Sequence, residues 1–253
     1  MNAEVARKLI VLNDEFYQNF AASFDQTRNR IQPGVAKIVQ DFQPDGNWLD
    51  IGCGNGSLAA EWLKQSGKTG VYCGLDASER LIRLAQDKVS KIQPNPDLDV
   101  DFIHLSILSD AWVSHLPAVS WDGIFMFAVL HHIPGYENRI RLCREIASIT
   151  NPAGLLYLSV WQLQHSARLM KRIRPWDVLD MEDSDLDTGD VLLDWKAQHP
   201  EDSPAQALRY VHIFSEHELV DLAGQSGFRI REFFYLDGRE GNLGLYQIWQ
   251  RDF

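Results

Sequence analysis

The sequence has little cysteine, and its cysteines are not grouped. The three in the chain, Cys53, Cys73 and Cys143, lie far apart and form no Cys-x-x-Cys pair. A disulfide framework and a structural zinc site are therefore not expected. The three side chains are predicted to be buried as small apolar groups, and no metal site is predicted.

Long apolar runs and an excess of positive charge are also missing. No stretch approaches the roughly 18–20 apolar residues that a bilayer span needs, and the N-terminal residues lack a small-residue cleavage site. These absences predict a cytoplasmic protein that does not bind membranes. The 24 Lys and Arg against 35 Asp and Glu leave a net charge of −11. This balance argues against a chain-wide basic surface for nucleic acid, but not against a local basic patch.

Short apolar runs alternate with amphipathic segments through the first two thirds of the chain. The runs predict five strands, at residues 48–51, 71–76, 100–105, 122–127 and 155–161. Strands separated by helices pair in parallel through right-handed crossovers. Alternating residues 228–235 and 244–250 predict a terminal hairpin. The expected fold is therefore α/β: a doubly wound, mainly parallel seven-stranded sheet with a C-terminal antiparallel hairpin.

Two segments flank or interrupt this alternation. Apolar residues at three- and four-residue steps from Val5 to Phe24, and a second run at 35–42, predict an N-terminal helical cap over residues 1–45. Residues 162–211 are polar, hold Pro175, Pro200 and Pro204, and show no clear strand. They predict an insertion over the active-site edge of the sheet, within a single domain of residues 1–253.

The run Asp50-Ile51-Gly52-Cys53-Gly54-Asn55-Gly56 places an acid at the end of the first strand, followed by three alternating glycines. Glycines permit a tight turn and a close ligand, and the helix that begins near Ser57 offers unpaired N–H groups to a carboxylate. Asp50 suits an ammonium group. Asp76, which ends the next strand, suits the two hydroxyls of a ribose. A dinucleotide loop needs a glycine where Ser57 stands, so the pattern predicts a site for S-adenosylmethionine.

Further cofactor contacts are predicted where neighbouring strands end. Ser106 and Ile107 follow the third strand and are expected to flank the adenine. The full predicted cofactor set is Asp50, Gly52, Gly54, Asn55, Gly56, Asp76, Ala77, Ser106, Ile107, Phe127 and Ala128.

These residues carry a resemblance to a known family. The loop at 50–56, Asp76 and the run 127–132 look like class I S-adenosylmethionine-dependent methyltransferases over residues 46–161. A narrower resemblance, to the tRNA carboxymethyluridine methyltransferases, rests on motifs in the same order along the chain. These are Phe16-Tyr17 with 24–28, 128–132 followed by Arg139 and Arg141, Val160-Trp161, 189–195 and 209–214.

The narrower resemblance implies methylation of a carboxymethyl group on the wobble uridine of tRNA. It places Arg28, His132 and Arg209 in or near the nucleoside pocket, and it implies a small zinc-ribbon partner protein. A carboxylate acceptor is already ionised at neutral pH, so the transfer needs no general base. An arginine that binds the carboxylate through two hydrogen bonds would then be the key substrate residue.

Several alternatives remain open from the residues alone. His131 and His132 suit a base for a hydroxyl acceptor, a pocket wall or a structural pair. The run Arg168, Lys171, Arg172 and Arg174 suits phosphate contacts or an exposed helix face. Trp161, Trp176, Trp195 and Tyr210 suit base stacking or core packing. The whole chain also suits a small-molecule methyltransferase, or a catalytically silent cofactor-binding partner subunit.

Overall fold

The computed structural model describes residues 1–21, 30–40, 45–64, 69–93, 96–196 and 206–252, without the side chain of Gln206. A seven-stranded sheet with the order β3-β2-β1-β4-β5-β10-β9 forms its centre. The strands are β1 Trp48–Ile51, β2 Gly70–Asp76, β3 Leu98–His104, β4 Trp121–Phe127, β5 Thr150–Trp161, β9 Phe228–Leu236 and β10 Gly244–Arg251.

Strands β1 to β5 pair in parallel, and β10 runs antiparallel between β5 and β9. The predicted α/β fold with its terminal hairpin is confirmed. Strand β5 is irregular near its start, at Pro152-Ala153-Gly154. The register between β4 and β5 shifts there, and Ala153 has a φ of 61°.

Helices pack on both faces of this sheet. The helices of the described residues are α1 Ala3–Asn19, α2 Pro33–Gln40, α3 Ser57–Leu63, α4 Glu79–Ser90, α5 Tyr136–Ile149, α6 Ala167–Met170 and α7 Glu216–Gln225. Serine side chains cap two of them: that of Ser78 accepts from the Leu81 amide at 3.4 Å, and that of Ser215 from the Glu218 amide at 3.1 Å. Within the ranges given above, no helix combines the length and the apolar composition that crossing a bilayer requires.

The core lies on the two faces of the sheet because side chains alternate along each strand. Leu49 and Ile124 belong to the apolar cluster on one face, whereas Trp48 and Phe125 belong to the cluster on the other. All three cysteines are buried and unbridged, as predicted.

The insertion contains a second sheet that the sequence did not reveal. Strands β6 Ile173–Arg174, β7 Asp190–Lys196 and β8 Gln206–His212 form an antiparallel sheet with the order β6-β7-β8. The expectation of no clear strand was therefore wrong. The small sheet is apolar on both faces, because Leu192 packs with Leu9 of α1 and Leu193 packs with Leu163. Such a strand shows a short apolar run instead of a clean alternation.

Candidate active site

A cavity of about 230 Å³ opens at the carboxyl ends of β1, β2 and β4, where parallel sheets place their ligands. Most of the residues predicted for the site line it. They are Asp50, Gly52, Gly54, Asn55, Asp76, Ala77, Ser106, Ile107, Phe127, Ala128 and His132.

Two predicted residues within the described ranges, Gly56 and Arg209, do not line the cavity. Gly56 supports the packing of α3 on α4, since a Cβ there would lie 2.8 Å from the Cβ of Ala85. Arg209 is buried, with its guanidinium carbon 4.5 Å from the ring centroid of Trp161, which does line the cavity. Arg209 therefore lies next to a residue of the cavity wall. Arg28 lies outside the described residues. The roles of all three stay predictions.

The glycine loop is held against the end of β2 by backbone contacts. The Cys53 amide donates to the Leu75 carbonyl at 2.9 Å, and the Gly54 amide donates to the Asp76 carboxylate at 3.0 Å. Gly52 has a φ of 70°, and a Cβ on it would lie 2.3 Å from a methyl group of Val129. Both the backbone angle and the close neighbour therefore require glycine at this position.

The first turn of α3 differs from the prediction. The Asn55 side-chain oxygen accepts from the Ser57 amide at 3.3 Å and from its hydroxyl at 2.8 Å. The Ser57 N–H is thus paired within the loop, so the predicted open N–H groups at the start of this helix do not include that of Ser57.

The charged side chains of the lining are three carboxylates and one guanidinium, that of Arg30. Burial raises the pKa of Asp50 to about 7, although a hydrogen bond from Tyr72 opposes the shift. Asp76 accepts from the Ser78 amide at 2.8 Å as well as from Gly54, and burial raises its pKa to about 6. Asp14 of α1 is a third lining carboxylate, and partial burial raises its pKa. Three carboxylates around one cavity favour a ligand with positive charge.

His132 is held between α1 and the insertion. Its Nδ1 lies 3.1 Å from the Tyr210 carbonyl, which can only accept, so Nδ1 carries a proton. In the neutral ring Nε2 is then an acceptor, and the Tyr17 hydroxyl donates to it at 2.7 Å. This geometry favours a role for His132 as part of the cavity wall. Tyr17 is a further polar residue that lines the cavity.

Helix α1 supplies lining residues that no sequence motif placed at the site. Asn13, Asp14 and Tyr17 reach the cavity from this helix. Asn13 anchors it, since its side-chain amide donates to the carbonyls of His132 and Tyr210 and its oxygen accepts from the Tyr210 amide at 2.8 Å. The signal for this anchoring role that the sequence offered was an asparagine within a predicted amphipathic helix.

The other candidate side chains have packing roles. His131 is fully buried against Trp161, with ring centroids 4.6 Å apart, and its Nδ1 lies 3.4 Å from the Trp161 amide. Trp176 and Tyr210 are buried in the core beside α1. Across the described ranges, no three His, Cys, Asp or Glu side chains come together as a possible metal site.

A buried ionic cluster lies behind His132. The Arg139 guanidinium pairs with Asp187 at 3.1 Å and with Glu218 at 3.4 Å. His212 lies between Asp190 at 2.6 Å and Glu218 at 2.9 Å. Burial opposes a charge on His212, but the two carboxylates outweigh it and raise its pKa. The cluster joins α5, the insertion and α7.

Comparison with known proteins agrees with the fold and identifies the family. A family described as a methyltransferase domain matches residues 23–232, so the chain belongs to that family. The crystal structure of an S-adenosylmethionine-dependent methyltransferase from Methanosarcina mazei is similar, with a TM-score of 0.63 and 26% identity over 88% of this chain and 98% of that one. The predicted methyltransferase family and fold are confirmed.

Several curated relatives have names that mention tRNA. The probable tRNA methyltransferase 9B of Mus musculus is 26% identical over 164 residues, which are 64% of this chain and 32% of that protein. The tRNA (carboxymethyluridine(34)-5-O)-methyltransferase of Schizosaccharomyces pombe is 26% identical over 239 residues, 87% of this chain and 90% of that protein. The chain spans about a third of the length of the mouse, cattle and human 9B proteins.

Proposed function

We propose that this chain binds S-adenosylmethionine in the acidic cavity and transfers the methyl group to the carboxymethyl group of a wobble uridine in tRNA. The proposal that the cavity binds the methyl donor, S-adenosylmethionine, rests on the position of Asp76. Two backbone amides fix its carboxylate at the end of β2, beside the loop in which Gly52 and Gly54 line the cavity. The acceptor half is supported by the Schizosaccharomyces pombe relative, which this chain matches over most of its length.

The residues present fit this cofactor by charge and by shape. Its sulfonium and ammonium groups carry positive charge, which the Asp14, Asp50 and Asp76 carboxylates favour. In the proposal, Asp76 accepts from the ribose hydroxyls and Asp50 from the ammonium group. The remaining contacts fall to the loop and strand-end residues Gly52, Gly54, Asn55, Gly56, Ala77, Ser106, Ile107, Phe127 and Ala128.

The bound cofactor would supply an activated methyl group on sulfur, and the protein would supply alignment and exclusion of water. The acceptor carboxylate is ionised, so His132 has no proton to remove and serves as a wall. Tyr17 donates to His132 and so fixes the orientation of the imidazole ring. Arg28 and Arg209 are proposed to hold the acceptor. The family resemblance adds a zinc-ribbon partner to the proposal. Composition adds a cytoplasmic location.

Tritium transfer from S-adenosylmethionine to total tRNA, followed by nucleoside analysis, tests the proposal. We expect label in a carboxymethyluridine ester, sensitive to mild alkali and lost in Asp76→Asn. The assay is run with the chain alone and with added zinc-ribbon protein.

A small carboxylic acid is the second candidate acceptor. The net charge of −11 favours it, because such an acid needs no polyanion-binding surface. Label in a panel of small acids, with none in tRNA under either condition, would replace the first candidate with this one. Cofactor binding without transfer to any acceptor would point to a silent partner subunit.

A further inference from the structure

Four cations fall within seven residues of the insertion, although the chain is acidic overall. Arg168, Lys171, Arg172 and Arg174, here called the basic segment, join the end of α6 to β6. Arg168 and Lys171 are exposed and form no ion pair with any residue that the structure describes. The Asp194 carboxylate of β7 forms ion pairs with the other two cations. It lies 2.9 Å from Arg172 and closer still to Arg174.

The basic segment is not the outer face of a packed helix. Helix α6 has only four residues, none of them buried, and Met170 beside the cations is itself 39% exposed. An amphipathic surface helix would bury an apolar stripe opposite its charges. Packing therefore does not account for this concentration of charge.

A row of cations and aromatic rings links the basic segment to the cavity. The Arg172 guanidinium carbon lies 5.3 Å from the centroid of the Trp195 ring, and that of Arg209 lies 5.0 Å from the same ring. Arg209 in turn lies 4.5 Å from the centroid of Trp161, which lines the cavity. Each contact is within cation–π range, so the row fixes Arg172 relative to the cavity wall.

We infer that the basic segment binds the phosphodiester backbone of RNA, beside the nucleotide that enters the cavity. Arg168 and Lys171 supply exposed charges that suit phosphates, and Asp194 sets the position of Arg172 and Arg174. The inference rests on the proposed tRNA acceptor and adds to it the surface that the polymer contacts.

The following stretch limits where the RNA lies. Asp177, Asp180, Glu182 and Asp183 are exposed and repel phosphate. By contrast, Asp187 and Asp190 are used internally, in pairs with Arg139 and His212. The insertion therefore carries exposed cations at 168–174 and exposed acids directly after them in sequence. The RNA backbone is expected to follow the basic segment only.

The test is binding of total tRNA to the whole chain at several salt concentrations, with wild type and an Arg168→Ala/Lys171→Ala variant. We expect about tenfold weaker binding at low salt. Loss of two phosphate contacts should also make the slope of log K against log salt shallower by roughly 1.4–1.8. S-adenosylmethionine affinity and the unfolding midpoint should stay at the wild-type values.

Two matched controls separate this effect from a change in net charge. Arg83→Ala/Lys91→Ala removes two equally exposed cations from α4, which packs against β2 and β3, and should leave tRNA binding unchanged. Arg168→Lys/Lys171→Arg keeps both charges and should retain the wild-type slope. A wild-type slope in the alanine variant, or an equal loss in the α4 control, would overturn the inference.

Methylation kinetics of the same proteins, together with the binding data, distinguish this inference from the proposed function. If the alanine variant methylates tRNA with the kcat and KM of wild type, the basic segment is excluded while the tRNA acceptor stands. If wild type neither binds nor methylates tRNA, both fail together. A raised KM with an unchanged kcat is the expected kinetic result.

Discussion

Asp76 is a carboxylate whose ionisation should control cofactor affinity. Its pKa is raised to about 6 by burial, so the side chain is largely protonated at pH 5 and ionised at pH 8. The ionised form accepts more strongly from ribose hydroxyls and favours a cationic ligand. We therefore expect the Kd for S-adenosylmethionine to fall by about tenfold between pH 5 and pH 8, measured by calorimetry.

The Asp76→Asn variant tests the origin of that pH dependence. It keeps an acceptor oxygen and the size of the side chain but cannot ionise. We expect roughly 10- to 100-fold weaker binding at pH 8, because charged hydrogen bonds are lost. The residual pH dependence should follow Asp50, whose pKa is about 7. An unchanged pH profile would show that Asp76 does not contact the cofactor.

Gly52 and Gly224 offer a matched pair of alanine substitutions. At Gly52 a methyl group is placed 2.3 Å from Val129 at a φ of 70°, whereas at Gly224 of α7 it would meet nothing within 4 Å. Gly52→Ala should cost about 1–3 kcal/mol of stability and weaken cofactor binding. Gly224→Ala should be neutral or stabilising by up to about 1 kcal/mol. Thermal unfolding and a cofactor titration of both variants measure the contrast.

At the scale of elements, Asn13 hydrogen-bonds α1 to β8, beside the apolar packing of Leu9 and the contact of the Phe16 ring with Arg209. Asn13→Ala would leave the amide and carbonyl of Tyr210 without this partner in a buried place. We expect a loss of about 2–3 kcal/mol in urea unfolding. Methyl transfer should fall as well, because Tyr17 on the same helix moves. Glu15→Ala, exposed on α1, is the control and should stay within about 0.5 kcal/mol.

Local sequence patterns were sufficient to predict the parallel sheet. The elements that depend on packing between distant residues could not be predicted from the sequence. Trp48–Ile51 and the caps Ser78 and Ser215 follow from apolar runs and side chains within a few residues. The glycine loop and Asp76 were likewise readable, since both lie at strand ends. The insertion sheet was not, because Leu192 and Leu193 face different partners far away in sequence.

The residues of the cavity wall also divide into those that local patterns predicted and those that depend on long-range contacts. Tyr17 contacts His132 across 115 residues, and Asn13 contacts Tyr210 across 197. No spacing rule connects such positions, so the α1 contribution required the folded structure. The pairing of the Ser57 N–H with Asn55 was missed for a different reason, since a side-chain rotamer decides it.

At the scale of the whole molecule, the ionic cluster predicts how stability depends on pH. The pKa of His212 is higher in the folded protein than its usual 6.5, so its stabilising contribution is complete below about pH 6.5. The contribution is lost as pH rises through the folded value. Asp50 and Asp76 act in the same direction, because their raised pKa values make ionisation costly in the fold without a ligand.

We therefore expect the free energy of unfolding, without cofactor, to decrease from pH 5 to pH 8. His212 should account for up to about 1.4 kcal/mol per pH unit above pH 6.5. His212→Gln removes that titration and should flatten the curve above pH 6.5 while leaving the slope between pH 4 and pH 6. Urea unfolding at one-unit intervals measures both. A stability that rises across this range would contradict the assignment of the cluster.

The two halves of the cavity come from different stretches of chain. The glycine loop and Asp76 belong to the central sheet, whereas Asn13, Asp14 and Tyr17 reach the cavity from α1, which hydrogen bonds to Tyr210 hold against the insertion. The proposed function thus assigns the methyl donor and the acceptor to separate stretches of the chain. Exchanging α1 together with the insertion between relatives should transplant acceptor preference while the methyl donor stays the same.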